Sequence, residues 1–401
     1  MAVRITRRNF LAGTAAAALT PAPAFAQQKP LKIGLLTVKT GPLAAGGIQM
    51  EQGTICFLKD RNYTLAGRKV ELVVGDTGGN PAGTKTKTQE LVEREQVDMI
   101  FGPLAAFELL AISDYTTQAK MPILSLAAAE DMTQRKPNPY FVRASGTSAQ
   151  YMHPLADYAA KELKLKRVIT LADDFAFGHE QMGGFGRVFE DAGGRIVKKL
   201  WPPLTTPDYT PYIVQISGAE AIVQGFAGSN PLKFMKQYQD AGLKLPVLGG
   251  APAGDDALLK SFGDEAVGMI SSNFYSNDVD TASNKKLIER MVREYGNIPG
   301  TYSAGLYING MVAEAALEKT GGKTDNREAF IKALRSVSLT DTPRGPFSFD
   351  HLGNVVGNWY IRRIERKGDK LVNTTIKTYP KVSQFWTYDE KWFLAARGES
   401  H

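Results

Sequence analysis

A few places in this chain carry residue types that do chemistry elsewhere, and each fails its own test. Asp173-Asp174 sets two carboxylates side by side, the raw material of general acid–base catalysis. Gly78-Gly79-Asn80-Pro81-Ala82-Gly83-Thr84-Lys85-Thr86 approaches a phosphate-cradling loop, which needs lysine directly after its last glycine; Thr84 stands between them. Gly184-Phe185-Gly186 lacks the third glycine of a dinucleotide site, and no Gly-x-Ser-x-Gly elbow is present. His153, His179, His351 and His401 show no metal-ligand spacing. The two aspartates therefore read as a helix cap and a solvated loop residue. Neither an enzyme, nor a metal, nor a cofactor is expected. Cys56, the single cysteine, has no partner for an internal disulfide and reads as a buried core thiol.

The elements that would position a site begin at Leu31. Leu31-Lys32-Ile33-Gly34-Leu35-Leu36 has the composition of a buried strand, and Thr40-Gly41-Pro42-Leu43-Ala44-Ala45-Gly46-Gly47 reads as a turn-rich loop. Ile48 to Arg61 reads as a helix. Strand, glycine-rich loop and helix open many α/β folds, whose ligands sit where such loops meet helix N-termini. Strand and helix signals then alternate. Lys69–Val74, Val97–Phe101 and Pro122–Leu126 read as strands. Asn80 caps a helix running to Arg94, and Phe107–Lys120 is a second. The rhythm restarts after Gly146: helices at Ser148–Leu163, Gly178–Ala192 and Pro231–Ala241 intersperse strands at Arg167–Leu171, Arg195–Leu200, Ala221–Gln224 and Pro246–Leu248. Such order predicts two parallel sheets flanked by helices. Helices at Asn284–Tyr295, Ser303–Lys319 and Arg327–Ser336 follow. After Pro346 the alternation changes to that of antiparallel strands, and Arg362, Arg363, Arg366 and Lys367 read as a solvated strand edge.

Residues 1–26 stand apart. They hold Arg4, Arg7 and Arg8 and no acid. Thr6-Arg7-Arg8-Asn9-Phe10-Leu11 resembles a twin-arginine export signal, and Ala24-Phe25-Ala26 has the small-x-small form of a cleavage site. The apolar run from Phe10 to Leu19 is shorter than the about 20 residues that span a bilayer. A mature chain beginning near Gln27, in the periplasm, is expected. The formal charge of +7, of which the three leader arginines supply three, leaves +4, too little to argue for nucleic acid or a membrane surface as a partner. About 375 remaining residues suffice for two domains.

From about Lys32 to Trp386 the chain resembles periplasmic solute-binding proteins of branched-chain amino acid ABC importers. Gly34 through Gly41-Pro42, Gly102-Pro103-Leu104, Asp173-Asp174 with Phe177-Gly178, Leu317-Glu318-Lys319-Thr320-Gly321 and Gly345-Pro346-Phe347 through Gly353-Asn354 carry the resemblance, in order. It implies two doubly wound parallel-sheet lobes, the first 27–144 plus 275–342 and the second 146–272 plus 346–401. Three crossovers would join them, near Ala144-Ser145-Gly146, Asn273-Phe274-Tyr275 and Thr342-Pro343-Arg344-Gly345. It further implies a small-molecule ligand between the lobes, hinge closure, a membrane permease as partner, and no chemistry. A monomer is expected. A receptor's ligand-sensing subunit would use the same lobes.

The resemblance also places a pocket, and there the chain departs from amino-acid binders. The loops that would hold a ligand carboxylate are Leu104-Ala105-Ala106-Phe107 and Ser125-Leu126-Ala127-Ala128-Ala129, with Ala106 and Ala129 at the hydroxyl positions. Gly46 stands where an aromatic would cover the ligand, and Phe177 where a tyrosine would. Ala251 stands where an acid would pair with the ligand ammonium. Tyr307 is retained, Phe226 offers a cleft aromatic, and Lys39 adds charge near the first loop. An aromatic or apolar carboxylate without an amino group is the expected ligand, with a branched-chain or other amino acid as the alternative. Asp255 and Asp256 lie near enough to Ala251 to supply the missing acid.

Overall fold

The computed structural model describes residues 29–396; the leader at 1–26 lies outside them. The first part of the chain runs β1 (Leu31–Thr37), α1 (Ala44–Asp60), β2 (Thr64–Leu65), β3 (Arg68–Asp76), α2 (Pro81–Gln89), β4 (Met99–Phe101), α3 (Ala106–Gln118), β5 (Ile123–Leu124) and β6 (Phe141–Val142). The second runs α4 (Ser148–Lys161), β7 (Arg167–Ala172), α5 (Ala176–Asp191), β8 (Arg195–Leu200), α6 (Thr210–Ile213), β9 (Ala221–Gly225), α7 (Asn230–Asp240), β10 (Val247–Gly249) and β11 (Ile270–Asn273). There follow α8 (Ala282–Tyr295), α9 (Thr301–Lys319), α10 (Arg327–Arg335), β12 (Ser338–Leu339), β13 (Phe347–Phe349), β14 (Val355–Lys367), β15 (Lys370–Val382) and α11 (Glu390–Ala395).

These elements make two α/β lobes, each around its own sheet. The first sheet has six strands in the order β2-β3-β1-β4-β5-β6. The second has nine, in the order β12-β13-β14-β11-β10-β9-β7-β8, with β15 paired to β14. Central strands pair in parallel, Ile33 beside Met99 and Val168 beside Ala221, and every residue of β4, β5, β9 and β10 is buried. Sheets covered on both faces need such nearly continuous apolar strands, in which Gln224 of β9 is the polar exception. The late hairpin is antiparallel, as its alternation predicts. β12 already pairs with β13, so the last passage into the second sheet comes a few residues before Thr342.

Three local expectations are corrected. Gly46 and Gly47 are helical, because α1 starts at Ala44 rather than Ile48. A Cβ on Gly47 would lie 1.9 Å from the Val38 carbonyl oxygen, so glycine serves close packing of backbone on backbone, not a turn. Neither Asp173 nor Asp174 caps α5, which starts at Ala176 after Phe175: Asp173 is buried, while the exposed Asp174 carboxylate meets His179 Nε2 at 2.8 Å. Arg362 is no edge residue: it is fully buried, and its Nη1 donates to Asp256 at 2.7 Å.

The first two crossovers meet at one side chain. The fully buried Arg344 guanidinium donates to the carbonyl oxygens of Ala144, of Ser145 at 3.0 Å and of Asn358 at 3.0 Å, and lies over the rings of Phe274 at 5.0 Å and Trp359 at 4.9 Å. Burial lowers its pKa to about 10, yet it stays charged at neutral pH. Cys56 is buried beside Met291 as expected, its thiol pushed up to about 12 by burial.

His153 on α4 is fully buried between the rings of Trp386 and Phe393. Burial first, and then the Arg187 charge, lowers its pKa from 6.5 to about 3. The folded state therefore holds neutral histidine while the unfolded chain takes up a proton below pH 6.5, so this group's contribution is complete above 6.5 and lost as pH falls toward 3. We expect His153→Phe to lose less stability than the parent between pH 6.5 and 4, measured by urea unfolding across that range. Parallel pH profiles would contradict this.

Candidate ligand cleft

Six strand ends deliver the walls of one cavity between the two sheets. From the first lobe, Leu43 follows β1, Leu104, Ala105 and Ala106 follow β4, and Leu126 and Ala128 follow β5. From the second, Phe175 and Phe177 follow β7, Ala227 follows β9, and Ala251 and Pro252 follow β10. Tyr151 of α4 and Thr301 and Tyr302 of α9 complete the lining. Ligands of open α/β sheets bind beyond the carboxyl ends of the strands, where these residues are.

Four of the helices present their N-terminal ends here. Leu43, Ala105 and Phe175 are the cap residues of α1, α3 and α5, and Thr301 opens α9. None of the four caps has a side-chain oxygen, although helix starts favour Ser, Thr, Asp or Asn. Helix N-termini favour anions, through their N–H groups and the macrodipole.

No charged side chain stands in the wall. Each acid behind it is already engaged. Glu108 accepts from Ala105 N at 2.9 Å and from Thr77 Oγ1. Asp173 accepts from Ala227 N at 2.6 Å and Asn230 Nδ2 at 2.8 Å, and burial raises its pKa to about 7 against those bonds. Asp255 accepts from Thr301 N at 2.8 Å and Ala257 N at 3.0 Å, and Asp256 is paired with Arg362. Neither Asp255 nor Asp256 lines the cavity.

The lobes touch on both sides of this space. Ser229 N donates to the Pro42 carbonyl at 3.2 Å on one side, and Asp255 meets Thr301 on the other. The volume of this space is about 40 Å³. A dry apolar cavity that holds benzene is about 150 Å³. A six-membered ring therefore enters only when the lobes part or the rings of Phe175, Phe177 and Tyr302 turn.

Leu104, Ala105, Ala106, Ala128, Phe177 and Ala251 come together in the wall. Phe107 stands behind it, edge-on to Phe175 at 5.4 Å. Gly46 does not open the cleft: a Cβ there would lie 2.9 Å from Leu104 and 3.1 Å from the Tyr302 ring, so Tyr302 fills the expected gap. Ala127 and Ala129 turn their carbonyls to Arg143, at 3.1 and 2.7 Å, and stay outside the lining. Lys39 pairs with Glu51 at 2.9 Å, away from the cavity. Phe226 packs between Tyr209 and Phe234, each at 5.1 Å, in the core of the second lobe. Tyr307 donates to Asp60 at 2.8 Å from the interior of α9. Leu126, in the second expected loop, lines the cavity too, whereas Leu43, Tyr151, Phe175, Ala227, Pro252, Thr301 and Tyr302 are wall residues that the sequence did not single out. Starting α9 at Ser303 and α5 at Gly178 passes over three of them by one to three residues.

Comparison with known proteins agrees with this architecture. The family model described as periplasmic binding protein matches residues 30–369. The Leu/Ile/Val-binding protein homolog 6 of Brucella suis is 30% identical over 384 residues, covering 92% of this chain and 97% of the relative. A solute-binding protein of an ABC transporter from Rhodopseudomonas palustris BisB5, solved in complex with 3,4-dihydroxybenzoic acid, is 32% identical with a TM-score of 0.84, covering 88% of this chain and 98% of that one. A second such protein from R. palustris, in complex with 4-hydroxybenzoate, is 29% identical with a TM-score of 0.83, covering 89% and 99%. By its fold and by these matches, the chain belongs to the periplasmic binding protein family of ABC importer substrate-binding proteins.

Proposed function

We propose that the cleft captures an aromatic or apolar carboxylate that carries no α-amino group, closes on it, and presents it unchanged to a membrane permease. One observation carries this reading: no acid is offered to the cavity, while four helix N-termini converge on it. An α-amino acid would bury its ammonium without a carboxylate partner, at a cost of several kcal/mol. Micromolar affinity is worth only about 8 kcal/mol in total. The solved relatives bound to 4-hydroxybenzoate and 3,4-dihydroxybenzoic acid support the same class. The name of the B. suis relative favours leucine, isoleucine or valine as the second reading. Matched pairs decide between them: thermal shifts of refolded, ligand-stripped protein with leucine against 4-methylpentanoate and phenylalanine against 3-phenylpropanoate, beside benzoate and 4-hydroxybenzoate. The acids are expected to raise the melting temperature and the amino acids to leave it unchanged. The reverse order would overturn the proposal.

The reading extends to the chain's ends and its company. We propose export by the twin-arginine route, cleavage after Ala26 and a monomeric mature protein in the periplasm. The exported protein is expected to have the mass of a chain starting at Gln27 and to scatter light as one copy. A chain that keeps Arg7 and Arg8, or scatters as a dimer, would contradict the respective part.

A further inference from the structure

We infer that Asp255 is a positioning residue that latches the second lobe onto the first whenever the cleft is closed, and so holds the closed form around a ligand. The inference rests on the reading that the cleft closes on ligand. Asp255 follows β10 and belongs to the second lobe; its Oδ2 accepts from Thr301 N at 2.8 Å. Its Oδ1 accepts from Gln49 Nε2 at 3.5 Å. Both donors belong to the first lobe. Gln49 is on α1, and α9 is tied to the first sheet by Asn309, whose Nδ2 donates to the Leu124 carbonyl at 3.1 Å.

The sequence at the start of α9 is fitted to this contact. Its cap residue is Gly300, which has no side chain, so the capping carboxylate comes from the other lobe. A Cβ on residue 300 would lie 2.1 Å from Asp255 Oδ1 and 2.6 Å from Gln49 Oε1. Glycine is what lets the lobes meet here. Asp255 is fully buried in the closed arrangement, and a carboxylate taken from water needs its N–H partners in register. The latch also adjoins the ligand space. Asn273 Nδ2 donates both to the Ala251 carbonyl at 2.9 Å and to Thr301 Oγ1 at 2.7 Å, and Ala251 and Thr301 are wall residues. Seating a ligand against these two walls sets the distance that the Asp255–Thr301 bond requires.

Removing a charge-assisted hydrogen bond should weaken ligand retention about 10- to 100-fold, mostly through faster release. The test compares wild type, Asp255→Asn, Asp255→Ala and Asp255→Ala with Gly300→Ser, using 4-hydroxybenzoate and leucine as probes. The latch predicts a dissociation constant at least 10-fold higher in both single variants, a radius of gyration that shrinks less with probe than that of wild type, and, because Asp255 Oδ1 also accepts from Ala257 N at 3.0 Å inside the second lobe, a loss of stability without probe no larger than that one cap, about 0.5–2 kcal/mol. The double variant gives α9 a cap of its own inside the first lobe, and the latch predicts that it does not restore affinity. Restored affinity, wild-type retention in the single variants, or a larger loss of stability without probe would each overturn the latch. If wild type binds neither probe, the ligand proposal falls by that control alone. The latch is then read from the share of closed form in ligand-free scattering, which Asp255→Ala must lower; an unchanged share overturns it.

Discussion

Replacing Ala251 with glutamate is expected to lower affinity for 4-hydroxybenzoate at least a hundredfold. Ala251 is buried in the wall, and the cavity of about 40 Å³ has no room for a longer side chain without displacement. Two carboxylates about 5 Å apart repel by about 3 kcal/mol at an effective dielectric of about 20, which alone is a factor of more than a hundred. Overpacking adds about 1–3 kcal/mol of lost stability. Ala251→Ser, with nearly the same volume and no charge, should keep affinity within a few fold. Calorimetric titration of the pair measures the effect, and a glutamate variant that binds as the parent does would show that residue 251 does not face the ligand.

Arg344→Ala should cause the largest loss of stability, about 3–5 kcal/mol. The substitution strands the carbonyl oxygens of Ala144, Ser145 and Asn358, which the guanidinium now serves. Each unsatisfied buried group costs about 1–3 kcal/mol, offset in part because the cation itself no longer needs burying. The rings of Phe274, Phe347 and Trp359 lose their cation as well. Because two of those carbonyls lie on the first crossover and Phe274 on the second, the lobes should also hold their relative orientation less well. Urea unfolding gives the free energy, and a loss below about 1 kcal/mol would show that the crossovers do not depend on this hub. Arg344→Lys should recover only part, since one ammonium does not span the carbonyls that a planar fork reaches.

Capping chemistry explains part of what the sequence displays and hides. Three of the helices that begin with a capping oxygen are legible, whereas α8, capped by Thr281, starts at Ala282 and not at Asn284, and α11, capped by Asp389, goes unread. Asn80 accepts from Gly83 N, Thr147 from Gln150 N and Asn326 from Ala329 N, and α2, α4 and α10 start where their residues predict. Helices whose first turns face the cavity begin instead with Leu43, Phe175 or Gly300, and their starts were read two to four residues late. The missing cap was itself the signal of a site, but one that only the fold makes readable. Strand alternation likewise placed the closing hairpin. It gave no hint that Arg362 turns inward, because its partner Asp256 lies 106 residues earlier in the chain. The loop resemblance placed Leu104 to Ala106, Ala128, Phe177 and Ala251 in the wall. It misplaced Phe226 and Tyr307, whose rings the two lobe cores absorb.

The ammonium question decides the account. Isothermal titration of refolded, ligand-stripped protein with 4-hydroxybenzoate and with leucine, under the same buffer and at neutral pH, tests it most directly. The account predicts micromolar or tighter binding of 4-hydroxybenzoate and no measurable heat with leucine at millimolar concentration. Tight binding of leucine without binding of 4-hydroxybenzoate would contradict it, and would mean that an acid such as Asp255 leaves α9 to face the ligand.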